Sequence, residues 1–394
     1  MPEHNDPIVI VAAKRTAMGA FNCAFTDVPA PALGAAVIRS LLTESGVSAD
    51  HIDTVTMGCV LPAATGQAPA RQAALLAELP QSVHCATVNK VCGSGLQTIL
   101  YAHDAVQLGR HEIAIAGGME NMTRAPHMLP KNALNRLGHA SCLSHLFTDG
   151  LEDAYSGKLM GEYAEATAEK YAFSREAQDD FAITSLQRAQ AASHAGQFAA
   201  EIAPVTVKTR RDEVVVTSDE PLAKAKPDKI PQLKPAFAKN GTVTAANASS
   251  IADGAAAVLL MKQSKAQSLG LTPMAKIAGL STFSHQPEWF TTAPVGALQQ
   301  LVDSIDWSVA DVDRFEINEA FAVVTMAAMH DLQIPHEKVN VHGGACALGH
   351  PLGASGARVL VTLLHTLRAA QLKRGVAGLC IGGGEAIAVA VEML

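Results

Sequence analysis

The chain carries its own outline twice. The segment Val47-Ser48-Ala49-Asp50-His51-Ile52-Asp53-Thr54-Val55 aligns without a gap on Trp307-Ser308-Val309-Ala310-Asp311-Val312-Asp313-Arg314-Phe315, and both read as a turn feeding a strand. Each follows an amphipathic helical pattern: Leu33, Val37 and Leu41 in the first, Leu298, Leu301, Val302 and Ile305 in the second. Further on, Gly93-Ser94-Gly95 opens a helix that leads into a strand, Ile113 to Ala116, and then Gly117-Gly118-Met119-Glu120. The counterpart is Ala354-Ser355-Gly356, a helix, the strand Ala377 to Ile381, and Gly382-Gly383-Gly384-Glu385. Convergent βα composition would not keep so many elements in one order, so the pattern predicts a duplication. The expected fold class is α/β: two βα-repeating halves, each a mixed or parallel sheet covered by helices, with ligands at strand ends and helix N-termini.

Between the halves the character changes. Residues 121–247 hold a Met-, His- and Asn-rich stretch from Thr123 to Ser144. Two long helical patterns follow, near Gly161 to Tyr171 and Arg175 to Ala195, and then a Lys/Pro-rich run. The predicted organisation is therefore residues 1–120 as the first half, 121–247 as an inserted loop domain, 248–274 as the return to the first half and 275–394 as the second half. Ser174 is the expected N-cap of the second inserted helix, with Glu176 favourably placed in its first turn. At 394 residues the chain exceeds one ordinary core, which fits this division. Aromatics at 4% within 48% hydrophobic residues suit close helix-on-sheet layers.

A net charge of −7 argues against general nucleic-acid binding, while leaving room for a local basic patch that holds a phosphorylated ligand. Seven scattered cysteines without framework spacing fit free thiols in a reducing compartment, so cytoplasm is expected. The polar start, Met1 to Pro7, leads straight into the apolar run Ile8 to Ala12 with no signal pattern. Apolar stretches are broken well short of the roughly 20 residues needed to cross a bilayer, so no membrane partner is expected.

Three separated segments put reactive side chains beside glycines: Cys92 in VNKVCGSG, His350 in GGACALGHPLGASG and Cys380 in LCIGGG. Closely spaced CxxC pairs, which a structural zinc site prefers, are absent, so no metal is expected. Cys92 precedes a glycine-rich helix start, where the dipole and free N–H groups favour thiolate. His350 sits between Gly349 and Pro351 ahead of a second such start. A neutral imidazole there can accept a proton from Cys92 or donate to a carbonyl oxygen gaining charge. Two sulfurs with one imidazole suit a reaction that needs a nucleophile and a separate base.

These segments, together with Asn318-Glu319-Ala320-Phe321, closely resemble the thiolase family, and the resemblance runs from about residue 8 to the C-terminus. It implies the duplicated thiolase architecture, with the insert holding coenzyme A and supplying an oligomer loop, hence a homotetramer built as a dimer of dimers. It implies a reversible condensation of two acetyl-CoA to acetoacetyl-CoA and CoA, the acetyl-CoA C-acetyltransferase activity. Coenzyme A thioesters are then substrates, and no further cofactor is needed. Residue by residue, the resemblance makes Cys92 the nucleophile and Cys380 the base for the α-proton. His350, with a water held by Asn318, stabilises the enolate oxygen, and the N–H groups of Cys92 and Gly382 form a second oxyanion pocket. It places the pantetheine groove on Leu151, Met160, Ser249, Ala320 and Phe321.

Three departures stand out: Ser250 where the family more often has glycine, Leu159 where short-chain members have histidine, and Glu385 where Met or Gln is usual. Met119, Met122, Met160 and Met329 are expected to cap the acyl site. The cluster Lys208, Arg210, Arg211, Lys224, Lys226, Lys229 and Lys234 is either a phosphate rim or a solvated loop. A degradative 3-ketoacyl-CoA thiolase of broader chain length shares every catalytic residue and remains the nearest alternative. A ketoacyl synthase would want a second histidine where Asn318 stands. A non-catalytic acyl or lipid carrier would be expected to lose the nucleophile, which this chain keeps.

Overall fold

The computed structural model describes residues 6–135, 137–208 and 212–394. The first half is laid down as β1 (Ile8–Thr16), α1 (Ala30–Ser45), β2 (Thr54–Gly58), α2 (Pro69–Leu76), β3 (His84–Val88), α3 (Ser94–Gln107) and β4 (Ile113–Asn121). An excursion with α4 (Met160–Lys170) and α5 (Arg175–His194) then precedes β5 (Ala252–Lys262). The second half follows as β6 (Ala275–Ser284), α6 (Ala293–Ser304), β7 (Arg314–Ile317), α7 (Ala322–Leu332), α8 (Leu352–Ala369), β8 (Arg374–Ile381) and β9 (Glu385–Met393). Leu33, Val37 and Leu41 are all buried on α1, and Leu298, Leu301 and Val302 on α6, so the helical stripes face the core. Helix α1 carries proline in its first turn and stops at Gly46 in the left-handed region at φ 70°.

The strands run in the order β7-β8-β9-β6-β1-β5-β4-β2-β3. Strand β2 is parallel to β3 and β4, and β7 is parallel to β8, while the remaining neighbours are antiparallel. The quartet β2-β4-β5-β1 thus recurs as β7-β8-β9-β6. Short 3₁₀ turns, Ala49–His51 and Val309–Asp311, precede β2 and β7 at aligned positions. Where the first half has β3, the second keeps a parallel bridge from Phe315 to Val339. The two mixed sheets expected from the sequence join edge to edge, with Val9 opposite Lys276 and Ile10 opposite Ala275.

Strand alternation sorts the core into layers. Ile8, Ile10, Val258 and Leu260 face inward with Ile387 and Val389, and Leu96, Ile99, Val359 and Leu360 of α3 and α8 fill the space between. The opposite faces, Val9, Val11 and Leu259 in one half and Ala386, Ala388 and Ala390 in the other, are covered by α1 and α2 and by α6. Helices therefore sandwich and separate the two sheet halves. The central layer is closely packed: a side chain at Gly118 of β4 would overlap the carbonyl of Gly353 on α8, and one at Gly356 of α8 would overlap the backbone of Leu96 on α3.

The excursion leaves and re-enters between β4 and β5, where the second half makes only the turn Gly382–Gly384 between β8 and β9. Ser174 caps α5 as expected, its Oγ accepting from the Ala177 N–H at 3.1 Å. Arg15 of β1, fully buried, donates to Glu201 at 2.6 Å and in a fork to Asp219 at 2.7 and 3.0 Å, which ties the excursion to the sheet. The Thr123 to Ser144 stretch forms a small hairpin, His127–Met128 with Leu143–Ser144, and Leu129 and Leu143 are exposed on it. Among the described residues, no helix is long and apolar enough to cross a membrane.

Candidate functional site

Cys92 sits in the tight turn that joins β3 to α3. The Ser94 hydroxyl donates to the Val91 carbonyl at 2.7 Å and accepts from the Lys90 N–H at 2.8 Å. Val91 is held at φ 45°, a left-handed conformation that is a genuine outlier for a β-branched residue. Strain of this kind persists only where the surroundings enforce it, and here it turns the next side chain into a cavity. The turn is tethered by an ion pair from Lys90 to Glu385. The backbone N–H groups of Cys92 itself and of Gly382 point at the Cys92 sulfur.

Expectation and structure part on the charge of that sulfur. The helix N-terminus favours thiolate, but burial pushes the Cys92 thiol up to about 11, further than the two N–H groups pull it down. At neutral pH Cys92 therefore rests as a neutral thiol.

His350 is positioned by the sharp approach to α8. Gly349 lies at φ 95°, and the His350 N–H donates to the Ser250 carbonyl at 2.9 Å, so the serine departure keeps a working loop. The Nδ1 side of the ring meets the Ser355 hydroxyl at 2.5 Å and the Asn318 amide nitrogen at 3.4 Å. Nε2 is buried and has no hydrogen-bond partner among the described residues. Burial, then the nearby Arg358 charge, lowers the imidazole to about 3, so it is neutral at physiological pH and free to exchange a proton through Nε2. Cys380 ends β8 with no exposure, and burial, then Cys92, pushes its thiol well above the usual range.

A cavity of about 380 Å³ brings these groups together. Cys92, His350 and Gly382 line it, and so do all five residues expected for the groove, Leu151, Met160, Ser249, Ala320 and Phe321. Asn318 and Cys380 are fully buried behind its wall. Leu159 also lines it, an apolar contribution where a histidine was the family pattern.

The expected methionine cap is corrected. Only Met160 reaches the cavity. Met119 and Glu120 are adjacent on β4 and so point to opposite faces. Met119 packs outward in the α1 layer, while Glu120 turns inward to accept from the N–H groups of Val60, Leu61 and Gly353. Met122 belongs to the central core and Met329 to the α6 layer. The walls are instead aromatic: Phe147, Phe237, Phe290 and Phe321. Phe237 and Phe290 come from segments that carry no motif, and they were not foreseen.

A second cleft of about 610 Å³ shares Ala245, Ser250 and Ile251 with the first and is lined by Lys226 and Lys229. Lys208 stays on an exposed hairpin opposite Glu213, whereas Arg210, Arg211 and the side chain of Lys224 lie outside the described residues. Also missed by sequence reasoning was the polar packing under the site. Glu319 accepts from Ser185, Asn340 and the Cys346 N–H at 2.7, 2.8 and 3.1 Å, which fixes the Asn318 turn. Buried polar residues next to a motif are the one signal that could have marked it.

Comparison with known proteins gives a consistent result. The family model "Thiolase, N-terminal domain" matches residues 8–264, and "Thiolase, C-terminal domain" matches residues 271–393. An acetyl-CoA acetyltransferase of Cupriavidus necator is 47% identical over 98% of this chain and 99% of its own. One of Pseudomonas aeruginosa is 47% identical over 97% of this chain and 98% of its own. Among solved structures, the Bacillus anthracis acetyl-CoA acetyltransferase superposes with a TM-score of 0.96 at 39% identity, covering 99% of both chains. A thiolase from Ascaris suum in complex with coenzyme A gives 0.93 at 39% identity, over 98% of this chain and 100% of that one.

Proposed function

The chain belongs to the thiolase family, and we propose that it is an acetyl-CoA C-acetyltransferase, condensing two acetyl-CoA to acetoacetyl-CoA and CoA and running the reverse cleavage through acetyl-Cys92. The observation that carries this reading is the 380 Å³ cavity where a buried thiol, two N–H groups aimed at its sulfur and an unpartnered imidazole nitrogen meet.

Cys92 attacks the thioester carbonyl as its proton passes to His350 Nε2. The oxygen that gains charge takes over the N–H groups of Cys92 and Gly382 that rest on the sulfur. Expulsion of coenzyme A, whose sulfur takes the Cys380 proton, leaves acetyl-Cys92, a protonated His350 and a Cys380 thiolate. That thiolate removes the α-proton of the second acetyl-CoA. Nε2–H of His350, with a water on Asn318, holds the enolate oxygen so that a thiolate suffices as base. Addition to the acetyl carbon and collapse expel Cys92, which recovers its proton from His350. All protons then stand where they began.

The two clefts, which share Ala245, Ser250 and Ile251, would take coenzyme A with pantetheine along Ser249, Ala320 and Phe321 and its phosphates toward Lys226 and Lys229. Cysteines that form no disulfide among the described residues suit a cytoplasmic setting. The exposed hairpin at Leu129 and Leu143 suits assembly into a homotetramer. Intact-mass measurement after incubation with acetyl-CoA tests the proposal. One acetyl group should appear on Cys92 and none on a Cys92→Ala variant, whereas acetylation of another cysteine would refute the assignment.

A further inference from the structure

Behind the catalytic histidine lies a buried ion pair that the reaction above does not use. Arg358 of α8 and Glu316 of β7 are 1% and 3% exposed and joined at 2.7 Å. The same guanidinium reaches the Asn318 side-chain oxygen at 3.3 Å, and the Asn318 amide nitrogen faces His350 Nδ1 at 3.4 Å. We propose that Arg358, held by Glu316, is a positioning residue for proton transfer at Cys92, because it fixes the orientation of the Asn318 amide against His350. The inference rests on the assignment of His350 as the group that exchanges a proton with Cys92.

A guanidinium has donors only, so the Asn318 atom that meets it must be the oxygen, and the amide nitrogen must face the imidazole. Without Arg358 the amide is free to flip and present its oxygen to Nδ1. That would favour a proton on Nδ1 at all times. The Ser355 hydroxyl, 2.5 Å from Nδ1 and 2.8 Å from the Pro351 carbonyl, can serve Nδ1 as acceptor or as donor by turning its one hydrogen. Asn318 as a fixed donor is the counterweight. It disfavours the doubly protonated ring that forms when Nε2 takes the Cys92 proton, while Ser355 can accept from Nδ1–H and so allows the resting tautomer with a bare Nε2. The positive charge of Arg358 acts in the same sense, so the protonated His350 of the acetyl-enzyme returns its proton to Cys92 when that sulfur is expelled.

Around His350 the titratable or charged groups are Arg358 on α8, Cys92 at the start of α3 and Cys380 on β8, with Glu120 of β4 at the Gly353 N–H. Around the pair itself stand Glu319, after β7, and Glu201, which Thr362 of α8 reaches at 3.3 Å. Glu316 is the only one of these carboxylates that touches Arg358 directly in the hydrogen-bond pattern of the described residues. Arg and Lys differ here in a testable way, because lysine keeps the charge but cannot span Glu316 and Asn318 in one plane.

The test uses Arg358→Lys and the double variant Arg358→Met with Glu316→Gln, which removes both charges and so avoids a lone buried ion. Acetoacetyl-CoA thiolysis is followed from pH 5 to 9 with melting temperature alongside. Arg358→Lys should lower kcat about tenfold or more, keep KM within about twofold and, with His350 lowered to about 3, show no imidazole limb in kcat/KM above pH 5. The double variant should show the same kcat loss with an acidic limb rising into the measured range, since His350 then protonates more easily. If the double variant fails to fold, Arg358→Lys decides: wild-type kcat would overturn the inference. Folded variants with unchanged kcat and unchanged limb would overturn it likewise. A His350→Ala variant that keeps full activity would instead overturn the underlying assignment.

Discussion

Burial and a helix N-terminus pull the Cys92 thiol in opposite directions, and burial wins, with the thiol raised to about 11. A raised thiol is neutral below its pKa, so reactivity toward a small electrophile should climb about tenfold per pH unit with no plateau below pH 9. Iodoacetamide inactivation of the free enzyme measures this directly, and a plateau near pH 7 would show a resting thiolate instead. In the proposed reaction the Cys380 proton goes to the departing coenzyme A, a thiolate stable enough to leave without it, whereas removal of the α-proton depends on the Cys380 thiolate. Cys380→Ser should therefore keep acetylation by acetyl-CoA while condensation falls by about a hundredfold or more. Equal loss of both steps would contradict the division of labour. These residues were legible because each stands beside glycines in a segment that resembles a known motif. Val91 was not, because no composition rule leads one to expect a β-branched residue at positive φ. Nor was Arg358, whose partners lie 42 and 40 residues away in the chain.

The repeat was readable at the level of elements because helix and strand periodicities survive duplication: Leu33, Val37 and Leu41 face the core as their spacing predicts. Side-chain direction at strand ends was not readable. Met119 was expected at the acyl pocket, yet a one-residue alternation sends it to the outer layer and brings Glu120 inward. Pocket walls also come from segments that meet only in three dimensions, as Phe237 and Phe290 do. The Thr123 to Ser144 hairpin leaves Leu129 and Leu143 exposed among the described residues. Deleting about 10 residues from its middle should convert a tetramer to a dimer. Multi-angle light scattering at micromolar concentration reads the result, and a monomeric intact chain would reject tetramer assembly.

For the whole molecule, two copies of one βα plan bring the start of α3 and the start of α8 to a single cavity, so each half supplies part of the chemistry. Cys92 comes from the first, His350 and Gly382 from the second, and the excursion adds the walls Leu151, Met160 and Phe237. In an open apolar tunnel each added methylene would contribute roughly 0.8 kcal/mol of burial, so specificity would rise with chain length. Under the proposed function the cavity of about 380 Å³ would hold the pantetheine end as well, which leaves little room beyond a short acyl group. The most direct test of acetyl transfer as the function is kcat/KM for thiolysis of the four-, six-, eight- and ten-carbon 3-ketoacyl-CoA esters. The account predicts that acetoacetyl-CoA is cleaved fastest and that the rate falls steadily with length; a maximum beyond six carbons would contradict it and assign the chain to degradative thiolysis.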